Sequence, residues 1–297
     1  MARLKISKAF TGRSSMPSTL DLRRRIKSVK NTSQITKAMQ MVAAAKMRKA
    51  QAAALAGRPY QEMLTRVLGA VKGRVEPASH ALLAVRPLKR ELILIFSTDK
   101  GLCGPLNNNL FRELIDIDRE KTEFAVMGRK AVQFIARTKR NLTADFALKD
   151  AVHFADIRPI AKFASDKFVS GEVDQVRVLY PKFINTLTQQ SVMRILLPVP
   201  AEELDVEGEA NRGEYLFEPD VNAVLDAILP HYIAFQLFQM ALNARASEHS
   251  ARMVAMKNAT DNAKELIKDL TLEYNKVRQA NITTELLEIT TAQLAVG

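Results

Sequence analysis

The chain has 297 residues, a formal net charge of +12, 47% hydrophobic and 26% charged residues, and a single cysteine. That size and mix allow one large or two modest domains with a real core, and the lone Cys103 excludes an internal disulfide framework. No uninterrupted apolar run approaches the ~20 residues of a membrane span; the nearest, Tyr232 to Ala241, is broken by Gln236 and Gln239.

The charge is unevenly placed. Residues 1–60 hold 14 Lys/Arg and one acid, Asp21, a balance of +13, while the remaining 30 Lys/Arg and 31 Asp/Glu give −1. Residues 201–220 run the other way, with eight acids against one base, Arg212. Such asymmetry concerns partners rather than fold.

In chain order, residues 1–16 read as an extension: disordered, a short transit peptide, or a start placed upstream of Met16. From Ser18 to Ala56 there is no Gly or Pro, and good helix formers dominate until Gly57 and Pro59 punctuate. Ser18 and Asp21 are start signals for that helix. Helical character resumes through Leu68. Between about 88 and 200 the period changes. "ELILIF", "FAVMG", "QVRVLYPKF" and "SVMRILLPV" read as buried strands. Leu106–Arg119, Arg129–Thr138 and Asp156–Val169 read as helices between them. Strands alternating with helices predict an α/β domain with a mainly parallel sheet. An acidic connection spans 201–217. Pro219 suits a first helical turn, and Pro230 should kink or break what precedes it.

From His231 to Val296 there is again no Gly or Pro, roughly 99 Å of helix if unbroken. Leu242, Ala246, His249, Met253, Met256, Thr260, Ala263, Ile267, Leu270, Tyr274 and Val277 alternate spacings of three and four, a heptad seam. A shorter stripe at Ile35, Met39 and Val42 is its expected counterpart. Helices this long need a buried apolar face. Pairing the two terminal helices with each other supplies one. Their positions on either side of the α/β block favour an antiparallel coiled coil, with the end of the longer helix projecting. That end is apolar at Ile282, Leu286, Leu287, Ile289 and Leu294, and needs a partner or sleeve.

Catalytic patterns are missing. There is no Walker-type phosphate loop and no G-x-G-x-x-G after a strand. His80, His153, His231 and His249 stand apart, with no carboxylate or cysteine at ligand spacing, so no metal and no cofactor is expected. "STDKGLCGPLNNNLF" (97–111) is the best site candidate, because ligands often sit where a strand enters a helix. Asp99, Lys100 and Cys103 could suggest nucleophilic chemistry, but no histidine lies nearby in sequence to serve as base. The plainer reading is a tight turn needing Gly101 and Gly104. The basic N-terminal helix could meet a phosphate backbone, solvent, or an acidic protein. Residues 17–59 hold no aromatic side chain for base stacking.

Three stretches carry a resemblance. "DLRRRIKSVKNTSQITKAMQMVAAAKMRKAQ", "STDKGLCGPLNNNLF" and "ARMVAMKNATDNAKELIKDLTLEYNKVRQANITTELLEIT" resemble, in this order, the signatures of the gamma subunits of F-type ATP synthases. The resemblance covers the chain from Met16 onward. It implies an antiparallel coiled coil of the N- and C-terminal helices (17–75 and 218–297) plus a central Rossmann-like α/β domain (88–200). It also implies a non-catalytic central-stalk rotor that couples proton-driven c-ring rotation to the alpha and beta subunits of the catalytic hexamer, without binding nucleotide. Further implied partners are the epsilon subunit and the c-ring, with no nucleic acid. The setting would be the cytoplasmic face of a bacterial inner membrane or the matrix face of the mitochondrial one. By position, Met39, Arg252, Arg278, Gln279, Thr283 and Glu285 match rotor–stator coupling residues, and Tyr215, Phe217 and Glu218 match the c-ring and epsilon end. Phe217 stands where some relatives have a tyrosine. The paired-cysteine insertion of chloroplast versions is missing.

Overall fold

A computed structural model describes residues 18–72, 80–200, 218 and 220–296. The extension 1–16, the acidic segment 201–217 and Pro219 lie outside the described residues. The chain divides into two compact units, Met39–Lys257 and a smaller one formed by Met1–Ala38 with Asn258–Gly297.

The elements are α1 (Thr19–Ala56), α2 (Arg58–Lys72), β1 (Glu91–Phe96), α3 (Leu106–Arg112), β2 (Thr122–Met127), α4 (Arg129–Arg137), β3 (Asn141–Phe146), α5 (Phe154–Val169), β4 (Gln175–Phe183), β5 (Gln189–Leu197) and α6 (Val221–Val296). Ser18 caps α1, its Oγ accepting the Asp21 N–H at 3.2 Å. Gly57 separates α1 from α2, whose first turn accommodates Pro59.

The larger unit is built on a five-stranded sheet in the order β3-β2-β1-β4-β5. Neighbours are parallel except β4 and β5. That exception is local chemistry. Asn185 Oδ1 accepts the N–H groups of Leu187 and Thr188, closing a tight turn between β4 and β5, and a connection that short can only join antiparallel strands.

All six residues of β1 are buried, because its side chains alternate between two cores. Leu92, Leu94 and Phe96 pack with α2, α5 and α6 through Leu68, Phe168 and Leu237. Ile93 and Ile95 pack with α3 and α4 through Leu110 and Ile135. Each fully buried side chain of this size contributes about 1.5–3 kcal/mol. An uninterrupted apolar run is therefore the correct sign of a central strand.

β3 has no counterpart among the strands expected from sequence. "NLTADF" alternates only weakly and is mostly exposed. It becomes a strand as the sheet edge, through hydrogen bonds to β2 and a register shift between Phe124 and Ala125. The helix expected over Leu106–Arg119 is also shorter, ending at Arg112.

Pro230 does not break α6, which runs from Val221 through it. The proline removes one backbone donor. Packing of Leu225, Leu229, Ile233 and Leu237 in the first core holds the helix on both sides of it. α6 contains a stretch apolar enough by composition to cross a membrane, yet its apolar residues 232–242 lie mostly in the sheet-facing core.

In the smaller unit, the first half of α1 pairs with the last part of α6. Arg23 Nη2 donates to Tyr274 Oη at 2.8 Å, and the Thr36 and Thr260 hydroxyls meet at 2.7 Å. As α1 advances from Arg23 to Thr36, its partner position falls back from Tyr274 to Thr260, so the helices are antiparallel. The α6 seam is as expected, with Thr260, Ala263 and Leu270 buried and Ile267, Tyr274 and Val277 half-buried. The α1 stripe is corrected. Ile35 and Val42 are 60% and 56% exposed. The inward set is Leu22, Ile26, Val29, Ser33 and Thr36, continued in the larger unit by Gln40, Ala43 and Met47. The heptad register starting at Leu22 decides the inner face. Facing small residues, it admits threonine and alanine there and leaves the larger Ile35 and Val42 outside.

Candidate functional site

The loop between β1 and α3 is a folded turn. Leu102 and Gly104 adopt φ of 63° and 58°, so Gly104 meets the backbone need expected of it, while Gly101 has no positive φ. Thr98 Oγ1 donates to Lys100 O at 2.8 Å, and Asn107 Nδ2 donates to Thr98 Oγ1 at 2.8 Å. Asp99 Oδ1 accepts the Arg129 N–H at 3.1 Å. Cys103 is 2% exposed, packed against Leu106 and Ala251, and burial pushes its thiol up from the ordinary value. A raised thiol gives little thiolate at neutral pH, the opposite of an activated nucleophile.

A charge cluster on α6 docks against this loop. Glu248 accepts Arg245 Nη1 at one carboxylate oxygen and Arg252 Nη2 at the other, both at 2.8 Å. Arg245 also donates to Leu148 O at 2.8 Å, and Arg252 Nη2 lies 3.4 Å from Lys100 O. The side chains are 10%, 7% and 12% exposed for Arg245, Glu248 and Arg252. So Arg252, one of the expected coupling residues, is engaged within the chain. Next to it, His249 Nε2 lies 3.7 Å from Asp150 Oδ1. Burial pulls the His249 imidazole below its ordinary pKa against the opposing pull of Glu248 and Asp150. Asp150 is held low chiefly by its hydrogen bond from Lys46 on α1. Arg245 and Glu248 have no counterpart among the residues singled out from sequence. Their signal was present, since opposite charges at i,i+3 and i,i+4 inside the small-residue stretch "ARASEHSAR" mark a helix face that buries its ions in pairs.

The remaining expected coupling residues are at the surface. Arg278, Gln279, Thr283 and Glu285 are exposed on α6 beyond Tyr274, and Met39 on α1 is half-buried. Thr283 Oγ1 donates back to Gln279 O at 2.9 Å. Glu218, just ahead of α6, is exposed, while Tyr215 and Phe217 lie outside the described residues. Around the α6 positions stand Ile282, Leu286, Leu287, Ile289 and Leu294, 46% to 80% exposed. They point to more than one side of the helix, as a helix enclosed by a sleeve would require. On α1 the cations Arg24, Arg25, Lys27 and Lys30 are likewise exposed. Among the described residues no group of three or more His, Cys, Asp or Glu side chains could hold a metal ion. The geometry offers contact surfaces on the two terminal helices and a braced charge cluster on α6 against the β1–α3 loop.

Known proteins share this arrangement. The ATP synthase family profile matches residues 18–296. The ATP synthase gamma chain of Opitutus terrae is 50% identical over 294 residues, covering 95% of this chain and 100% of the relative. That of Methylacidiphilum infernorum is 43% identical over 293 residues, with 95% and 100% covered. Among solved structures, a chain of the Tetrahymena thermophila mitochondrial ATP synthase central stalk and c-ring aligns at TM-score 0.59 and 26% identity, over 76% of this chain and 99% of that one. A chain of the Euglena gracilis mitochondrial ATP synthase shares the fold at TM-score 0.68 and 20% identity, over 94% of both. The chain therefore belongs to the ATP synthase family, as a gamma subunit of the central stalk.

Proposed function

We propose that the chain is the rotor that transmits c-ring rotation to the alpha and beta catalytic hexamer of a proton-translocating ATP synthase, and that it binds no nucleotide and catalyses nothing by itself. The observation that carries this reading is the end of α6. It continues past its last pairing with α1, near Tyr274, and exposes apolar residues on several sides. A helix in that state gains stability from a surrounding collar, and a collar lined with apolar side chains bears on it without fixed polar contacts. Arg278 and Gln279 would meet the beta subunits, with Thr283 and Glu285 one turn further on. The basic face of α1, with Met39 at its edge, would be drawn to acidic loops of the same subunits.

Arg252 serves this function differently. Bound to Glu248 and to the β1–α3 loop, it would act as a brace at the base. Glu218, with Tyr215 and Phe217, would face the epsilon subunit and the c-ring. The complex would lie on the cytoplasmic face of a bacterial inner membrane, a reading supported by the two bacterial gamma chains; the alternative is the matrix face of a mitochondrial inner membrane.

The test is reconstitution with alpha, beta and epsilon subunits and the membrane sector. Arg278→Ala and Gln279→Ala should lower ATP synthesis and proton-coupled hydrolysis severalfold while assembly persists. Full coupled activity with both terminal helices cut away would refute the rotor role.

A further inference from the structure

From Arg245 to Arg252, about two turns, α6 is held by hydrogen bonds to the ends of several strands. Every residue from Ala244 to Ala251 is buried, so the larger unit encloses this part of the helix. Ser247 Oγ donates to Pro181 O of β4 at 2.9 Å, and Ser250 Oγ donates to Thr186 O in the β4–β5 turn at 2.7 Å. Both serines are 0% exposed. At about 3.6 residues per turn they project from the side of α6 opposite Arg245 and Arg252. On that other side Arg245 reaches Leu148 O after β3, Arg252 reaches Lys100 O after β1, and Glu248 joins the two.

Topology supplies the second observation. β1, β3 and β4 run in the same direction, so these carbonyls lie along one edge of the sheet, at the C-terminal ends of its strands. β2 and β3 lie to one side of β1 and β4 to the other, so the order reverses between β1 and β4. In open α/β sheets that crevice is the ligand site. Here α6 fills it. The space left beside Thr98, Asn107, Arg245 and Glu248 is about 10 Å³, room for at most one water. What the grip resists follows from its chemistry. Burial of apolar surface is non-directional, whereas hydrogen bonds weaken steeply as their angle is lost. Turning α6 about its axis would misalign the serine and arginine bonds together and leave buried donors unpaired on both sides. The apolar packing of Ile233 and Leu237 nearer the helix start carries no such angular requirement.

We propose that Arg245, Ser247, Glu248, Ser250 and Arg252 form a torsional lock, through which rotation of the α/β domain passes into α6. The helix sits in the crevice as a ligand would, with donors on opposite sides, so it turns with the domain and neither spins nor slides within it. The torque path rests on the rotor reading above; the lock stands on the contacts alone.

Two measurements test it. In the isolated full chain, Cys103 reports opening of the lock, because it is 2% exposed and packed against Ala251. Its alkylation by N-ethylmaleimide should be about tenfold faster, or 1.4 kcal/mol, in Ser247→Ala with Ser250→Ala. Ile233→Val, which loosens the same helix in the apolar core, should leave the rate unchanged. Equal rates in the native chain and the double serine variant overturn the lock. In the reconstituted complex, protons moved per ATP hydrolysed should fall severalfold in the double serine variant and in Glu248→Gln, and stay native in Ile233→Val. A native ratio in the lock variants overturns the torque path. So does a ratio that falls equally in Ile233→Val, since the loss then follows stability alone. An unmodified chain that supports no coupling refutes the rotor reading itself and the torque path with it, while the alkylation rates still decide the lock.

Discussion

Arg245 and Glu248 lie one turn apart on α6 and meet at 2.8 Å with side chains 10% and 7% exposed. With Arg252 on the other carboxylate oxygen, Glu248 is a buried anion between two guanidiniums that reach separate loops of the α/β domain. A buried pair is poor evidence of net stabilisation, but breaking it strands an ion. Glu248→Ala should cost about 3–5 kcal/mol, seen as a lower urea midpoint of the full chain. Glu248→Gln, which keeps an acceptor oxygen, should cost less. An unshifted midpoint in Glu248→Ala would show that the arginines find water instead.

Stability should depend on pH through His249. Burial lowers its folded-state pKa below the ordinary 6.5. Above 6.5 both folded and unfolded chains hold it neutral. As pH falls below 6.5 the unfolded chain takes up a proton that the folded chain refuses, and stability drops until the lower folded value is reached. Asp150, depressed from 3.8 by Lys46, adds the same sign of loss as pH falls below 3.8, reduced by its 55% exposure. Melting temperature followed from pH 7.5 downward, about a unit past the ordinary value, should decline in the native chain and flatten in His249→Gln. Equal slopes would remove His249 from the account.

Thr36 and Thr260 pair hydroxyl to hydroxyl at 2.7 Å in the middle of the antiparallel seam, where both are buried. Thr36→Val leaves a buried hydroxyl facing a methyl group and should cost about 1–2 kcal/mol. Thr36→Val with Thr260→Val restores matching surfaces and should recover much of that loss. A double-mutant cycle on thermal unfolding measures the coupling; strict additivity would mean that the hydroxyls do not interact.

Gly128 and Gly101 should respond oppositely to alanine. Gly128 has φ of +109°, and a Cβ there would fall 2.5 Å from the Ser97 carbonyl oxygen, a backbone atom that cannot turn aside. Gly128→Ala should cost roughly 3 kcal/mol or more and lower soluble yield. Gly101 has nothing within 4 Å of an added Cβ and no positive φ, so Gly101→Ala should shift stability by no more than about 0.5 kcal/mol. Comparable melting temperatures for the two variants would contradict the strain assigned to the start of α4.

Several features could be read directly because their cause is local. "ELILIF" is apolar from Leu92 to Phe96 because both faces of β1 are covered, and Gly57 with Pro59 ends one helix and starts the next. The absence of Gly and Pro over 231–296 permitted a single long helix, and its heptad spacing named the seam before any partner was known. Where causes are distant, reading failed. β3 is a strand only because β2 offers it an edge. Pro230 is tolerated because packing on both sides outweighs one lost hydrogen bond. Ile35 looked inward by hydrophobicity and is outward by register.

The sequence by itself determined the long Gly- and Pro-free terminal helices, the central strands, the charge imbalance and the family, since each is written in contiguous residues. Only the tertiary structure decided which side chains share an environment. It set Arg245, Glu248 and Arg252 into one buried cluster against loops far away in sequence. Such groupings depend on distances across the fold, and periodicity along one helix carries no information about what lies opposite it.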